Sequence, residues 1–169
     1  MQAIKYILLC LIFLASSGIG ILYSKKYTNR EKELKEMKNA LSLFKTKLRY
    51  TYETVPEIFT QIAEKVKEPI ASIFYTAANN MQETLASDAW IETIEKSENN
   101  LKEEDKTILK DLGKLLGQTD VEGQLSSIEL VTNFLDKQIE EAIVEKQKSE
   151  KLYRTLGITT GLGFVILFL

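Results

Sequence analysis

The last stretch of the chain changes character partway along. Residues 136–151 read DKQIEEAIVEKQKSEK, without Gly or Pro and rich in strong helix formers. After Arg154 no charged side chain follows, and the chain runs out as TLGITTGLGFVILFL. One continuous helix passing from water into lipid is the expectation. The opening mirrors it, with apolar residues 6–23 leading into the basic SKKYTNREKELKEMKNALSLFKTKL. Residues 3–23 and 152–169 therefore read as membrane spans, each near the roughly 20 residues that a bilayer requires. Between them, residues 24–151 read as one soluble domain.

The small residues Ala15, Ser16 and Ser17 also fit a secretory signal peptide cut after Ser17. The uncharged continuation through residue 23 favours a retained span. The single cysteine, Cys10, lies inside this run, so no intramolecular disulfide forms.

The interior is predicted to be all-α, a bundle of about six helices whose first and last members continue into the spans. It lacks alternating β-branched runs and has only two prolines. Leu34, Met37, Leu41, Phe44 and Leu48 recur at steps of three and four, which is one apolar stripe along a first helix. Pro56 restarts the chain with Thr54 or Val55 as the cap, and Pro69 restarts it again before Ile70, Ile73, Phe74 and Ala77. A fourth helix capped at Ser87 or Asp88 carries Trp90 and Ile94, with Trp90 read as a core anchor. A fifth runs from about residue 101 to 116, carrying Leu101, Asp105, Leu109, Leu112, Leu115 and Leu116, with Gly113 as a close helix contact and Gly117 as a cap. Asp120 and Gly123 open the sixth, with Leu125, Ile128, Val131, Leu135, Ile139 and Ala142 on one face. The first and last helices are expected to run antiparallel as a stalk with the short helices at its far end.

Basic residues cluster just inside both apolar runs: Lys25, Lys26 and Arg30 after the first, Lys148, Lys151 and Arg154 before the second. Only Lys5 lies beyond. By the positive-inside bias, this collar puts the helical domain in the cytoplasm. Ser16 and Gly20 in one span and Gly157 and Gly161 in the other have the four-residue spacing that lets helices approach closely. Packing between the spans, tolerance of Gly in lipid and self-association all fit that spacing.

The chain balances 22 basic against 24 acidic side chains and contains no histidine. The absence of histidine excludes a His-dependent zinc site and Ser-His or Cys-His dyads. The absence of an aromatic-interleaved basic face argues against nucleic acid. No phosphate loop, metal-ligand cluster or nucleophile elbow is present, so no enzyme activity, cofactor, metal or small-molecule substrate is expected. Glu95, Glu98, Glu103 and Glu104 form, with Glu92 and Asp105, an acidic stretch around the fourth turn. It reads as solvated surface or as a docking patch for a basic partner at the tip of the domain.

Several short motifs share an order and spacing with one family: Lys26-Tyr27-Thr28, residues 48–56, Ala89-Trp90, and Leu109-x-x-Leu112-Gly113-x-x-Leu116-Gly117. Asp120-x-x-Gly123-Gln124 and Lys151-Leu152-Tyr153-Arg154-x-Leu156-Gly157 complete the set. Through them the chain resembles the stage III sporulation protein AB family of endospore-forming bacteria. It departs at Val55, where the family tends to have Thr before the proline. The resemblance implies a helical domain similar to the cytoplasmic modules of type II secretion and type IV pilus platform proteins. It also implies a place in a trans-envelope complex of the mother-cell membrane facing the forespore, beside a secretion-type ATPase. A non-enzymatic platform, possible as a homo-oligomer, is the resulting expectation. A two-span sensor with an extracytoplasmic ligand-binding bundle is the competitor, but it lacks an output module after the second span.

Overall fold

In the computed structural model the backbone is described for residues 2–168, with side chains from Lys25 onward except 154, 157, 158, 161, 162, 164, 165, 167 and 168. Among the described residues the architecture is all-α, without strands: α1 (Gln2–Tyr50), α2 (Val55–Ala63), α3 (Ile70–Asn80), α4 (Ala86–Lys96), α5 (Glu103–Gly113) and α6 (Val121–Phe168). The terminal helices run 49 and 48 residues without a break, so the predicted continuity of the end segments with the first and last helices holds. Among the described residues no helix is long and apolar enough to cross a membrane. The side chains of residues 3–23, including Ser16 and Gly20, lie outside the described residues, as do those of Arg154, Gly157 and Gly161.

The chain forms two compact units, Met1–Glu31 with Glu141–Leu169, and Lys32–Glu140. The second holds the core. Its helices alternate in direction because each connection is short. Leu34, Met37, Ala40, Leu41 and Phe44 of α1 are buried, and so are Leu125, Ile128, Val131 and Leu135 of α6. The Lys38 ammonium lies 2.5 Å from Asp136 and the Lys45 ammonium 2.8 Å from Glu129, an antiparallel register between the same two helices.

Four aromatic rings from four consecutive helices meet at the centre. Phe44 packs edge-on to Phe59 at 5.0 Å between centroids, and Phe59 meets Phe74 at 4.9 Å and Trp90 at 5.4 Å. These tilted and edge-to-face arrangements are the ones the ring quadrupole favours. Trp90 is fully buried, and its indole N–H donates to the Leu109 carbonyl of α5 at 2.7 Å, which ties in a fifth helix.

Several boundaries differ from the sequence reading. Helix α5 stops at Gly113 rather than at residue 116, and Leu116 is buried from the turn that follows. Gly117 has φ +70° within that turn, beyond the C-cap residue Lys114. This is a conformation glycine adopts without steric cost. Helix α4 starts at Ala86 with Leu85 as its N-cap, because Ser87 is buried and its hydroxyl instead accepts from the Gln118 amide at 3.2 Å.

Pro56 sits in the first turn of α2 as expected. There the Glu57 carboxylate reaches back to the Thr54 backbone N–H at 2.7 Å and to its hydroxyl at 2.8 Å. These two bonds, the backbone one first, hold the Glu57 carboxyl below its ordinary value. A depressed folded pKa means that the contribution is complete above the unfolded carboxylate value and is lost as pH falls through the folded one. Thermal melts of the full-length protein in detergent should therefore show stability declining through the acidic range. The Glu57→Gln variant should decline less over the same interval.

Candidate functional site

The connection between α4 and α5 is fixed from within. Glu33 of α1 is 6% exposed, and its carboxylate accepts the Asn100 backbone N–H at 2.7 Å and the Asn100 amide at 2.6 Å. Asn99 accepts the Leu101 N–H at 3.0 Å and donates to the Ser97 hydroxyl at 2.7 Å. Asp105, fully buried, accepts the Lys102 N–H at 2.8 Å, satisfying a donor that the start of α5 leaves open. The sequence reading put Asp105 in the solvated acidic stretch; the residue is instead buried, where its carboxylate serves the helix start.

Glu95, Glu98, Glu103 and Glu104 remain exposed around this turn. Glu92 pairs with Lys96 one helical turn on, and that hydrogen bond raises the lysine above its ordinary value, so the pair is internally neutral. Beside the turn, α3 and α4 diverge to leave a groove of about 550 Å³ lined by Pro69, Ser72, Thr76, Thr93, Ser97 and Glu98. Its walls mix these hydroxyls with the Asn80 amide, the Glu92–Lys96 pair and the apolar Ile73. Among the described residues no group of three His, Cys, Asp or Glu side chains is placed to hold a metal ion.

The turn does not occupy the far tip of the bundle. Through Glu33 it is attached to α1 just after that helix enters the second unit at Lys32. Helices that alternate in direction return the second and fourth connections to the end of the second unit that holds Lys32.

The basic residues belong to the first unit, where α1 and α6 are again antiparallel. Thr28 donates to Glu150 at 3.3 Å, Lys146 lies 3.1 Å from Glu31, and the rings of Tyr27 and Tyr153 stand 6.4 Å apart. Lys25, Lys26, Lys148 and Lys151 are exposed. Arg30 is a correction to the collar: it is 2% exposed and its guanidinium meets Glu145 at 2.9 Å, so it is committed to the helix pair.

Of the residues assigned to the core, Trp90, Gly113 and Leu116 are buried, Pro56 is half-buried and Gly117 is exposed. Sequence reasoning missed Glu33, whose partner lies 67 positions away. For Asp105 a local signal existed, an acid three residues after the last non-helical position.

These features define an all-helical bundle with two long terminal helices, an acidic turn and a mixed polar and apolar groove on the surface of its second unit. Residues 5–169 match the family described as stage III sporulation protein AB, and the chain belongs to that family. It is 25% identical over 162 residues to stage III sporulation protein AB of Bacillus subtilis (strain 168), covering 94% of this chain and 95% of that protein. A solved structure of stage III sporulation protein AB superimposes with a TM-score of 0.66 at 21% identity, covering 71% of this chain and 98% of the other, a likeness of fold.

Proposed function

We propose that the chain is a non-enzymatic platform of a sporulation trans-envelope complex, anchored in the mother-cell membrane by residues 3–23 and 152–169. Its helical bundle lies in the cytoplasm and docks a secretion-type ATPase through the acidic turn. The observation that carries this reading is the antiparallel pairing within the first unit, from Thr28–Glu150 to Arg30–Glu145. That pairing brings Lys25 and Lys26 to the same place as Lys148 and Lys151, so both apolar runs depart from one lysine-rich end. Lysines so placed favour an anionic cytoplasmic leaflet.

The exposed carboxylates of the α4–α5 turn, held by Glu33 and Asp105, give a basic partner surface a fixed pattern of charge to meet. Rim charges of this kind act mainly on association rate and its salt dependence. Reversing Glu95, Glu98 and Glu104 to Lys together should reduce ATPase capture by the full-length protein about tenfold in low salt. Capture equal to that of the parent chain would remove the turn from the docking surface. A reporter fused after Leu169 should be active only outside the cytoplasm; activity inside would remove the topology.

A further inference from the structure

The pole of the second unit opposite the acidic turn carries the α1–α2, α3–α4 and α5–α6 connections. The register of Lys38–Asp136 and Lys45–Glu129 puts the end of α1 beside the start of α6. The Gln118–Ser87 bond joins the other two connections, and a Cβ at Gly117 would stand 3.6 Å from that of Ala86. Turn segments ordinarily carry polar residues and glycine. Here they carry Tyr50, Tyr52, Leu85, Leu115 and Val121, all exposed, with Tyr52 fully open to solvent and Leu85 68% exposed. In the same unit the other exposed large apolar side chains, Tyr75, Leu130 and Phe134, lie along helix sides.

Leu85 breaks a local rule as well. It occupies the N-cap of α4 and makes no side-chain cap bond, at a position where Ser, Thr, Asp or Asn would stabilise the helix. An exposed apolar residue that forgoes local stability marks a functional surface rather than a folding requirement.

We infer that this pole is a second interaction surface, formed by Tyr50, Tyr52, Leu85, Leu115 and Val121, that receives a protein partner with an apolar centre ringed by lysine or arginine. The rim selects the occupant. Glu83, Asp120 and Glu122 are exposed within two residues of Leu85 or Val121, whereas Glu53 is half-buried and bonded to Thr51 and Gln61, and the Glu57 carboxylate is turned back on Thr54. Lys114 is paired with Asp111 at 2.6 Å and Lys47 with Glu53 at 3.4 Å, which leaves Glu83, Asp120 and Glu122 against Arg49. A second copy would bring the same carboxylates face to face, and an anionic bilayer would be repelled; a basic rim meets them favourably. The surface goes beyond the ATPase-docking reading and stands on residues at the other end of the unit, so either can fail alone.

The test places p-benzoylphenylalanine at Leu85, at Leu115 and, for reference, at the exposed Asn133 in the full-length chain in sporulating cells, with cross-linked peptides identified by mass spectrometry. The expected result is an adduct at the first two positions with one and the same other protein, joined within a segment containing lysine or arginine, and none at Asn133. Glu83→Lys with Glu122→Lys should lower that adduct about fivefold while the melting temperature of the purified chain stays unchanged. An adduct made of two copies, an adduct with lipid alone, the same products as at Asn133, indifference to charge reversal, or no adduct would each overturn the inference.

Discussion

Trp90→Ala is expected to destabilise the full-length protein by about 3–5 kcal/mol, the range for deleting a fully buried large aromatic. Three interactions are lost together. The indole fills the space between Phe59 and Phe74, with centroids at 5.4 and 5.3 Å, and its N–H donates to the Leu109 carbonyl. It also forms one side of the slot into which Gly113 fits. The smaller Trp90→Phe change keeps a ring against Phe59 and Phe74 but removes the donor. The Leu109 carbonyl still has a helical partner, so about 1 kcal/mol is expected beyond the lost volume. Because Trp90 is the single tryptophan, unfolding must be followed by far-UV circular dichroism in a denaturant series rather than by intrinsic fluorescence. A loss under 1 kcal/mol for the alanine variant would mean that the aromatic centre does not hold the helices together.

The aromatic centre was legible because apolar residues three and four apart announce a buried helix face whatever the face packs against. Leu34, Met37, Leu41 and Phe44 of α1 proved buried and Leu48 half-buried, while the whole predicted stripe of α6 from Leu125 to Ala142 is buried. Periodicity treats every charged residue as solvated, however, and that is where it failed. Arg30 and Glu33 look like surface positions of α1, yet both are buried, because their partners Glu145 and Asn100 lie 115 and 67 positions away. No window on the sequence contains such a pair.

The place of the acidic turn was missed for a topological reason. A stalk with short helices at its far end puts every turn at the tip, whereas a bundle that alternates in direction distributes its turns between two ends. Helix lengths and short connections already implied the alternation. It exchanges the expected positions: the carboxylates come to lie near the entry of α1, and the apolar side chains Leu85 and Leu115 take the opposite pole.

Gly113→Val should cost about 3 kcal/mol, at the upper end of what overpacking a filled site costs. A Cβ at Gly113 would lie 2.8 Å from Cγ1 of Ile91 and 2.8 Å from Cδ1 of Trp90, with the Ser87 carbonyl oxygen at 3.3 Å. The isoleucine can turn aside; the indole, held by Phe59, Phe74 and its bond to Leu109, cannot. Gly113→Ala places only the Cβ there and gains about 1 kcal/mol of helix propensity, so its net cost should be smaller, about 1–2 kcal/mol. If the clash with the indole is the cause, Gly113→Ala should be less costly in a Trp90→Phe background than in the parent, with a coupling of about 1 kcal/mol between the two sites. Strict additivity of the two changes, measured by the same denaturant series, would move the origin of the effect away from Trp90 and onto Ile91 or the backbone of α4. Ile91→Ala rather than Trp90→Phe would then relieve the alanine variant if the isoleucine is the cause, and neither would if the Ser87 carbonyl sets the approach of α5 to α4.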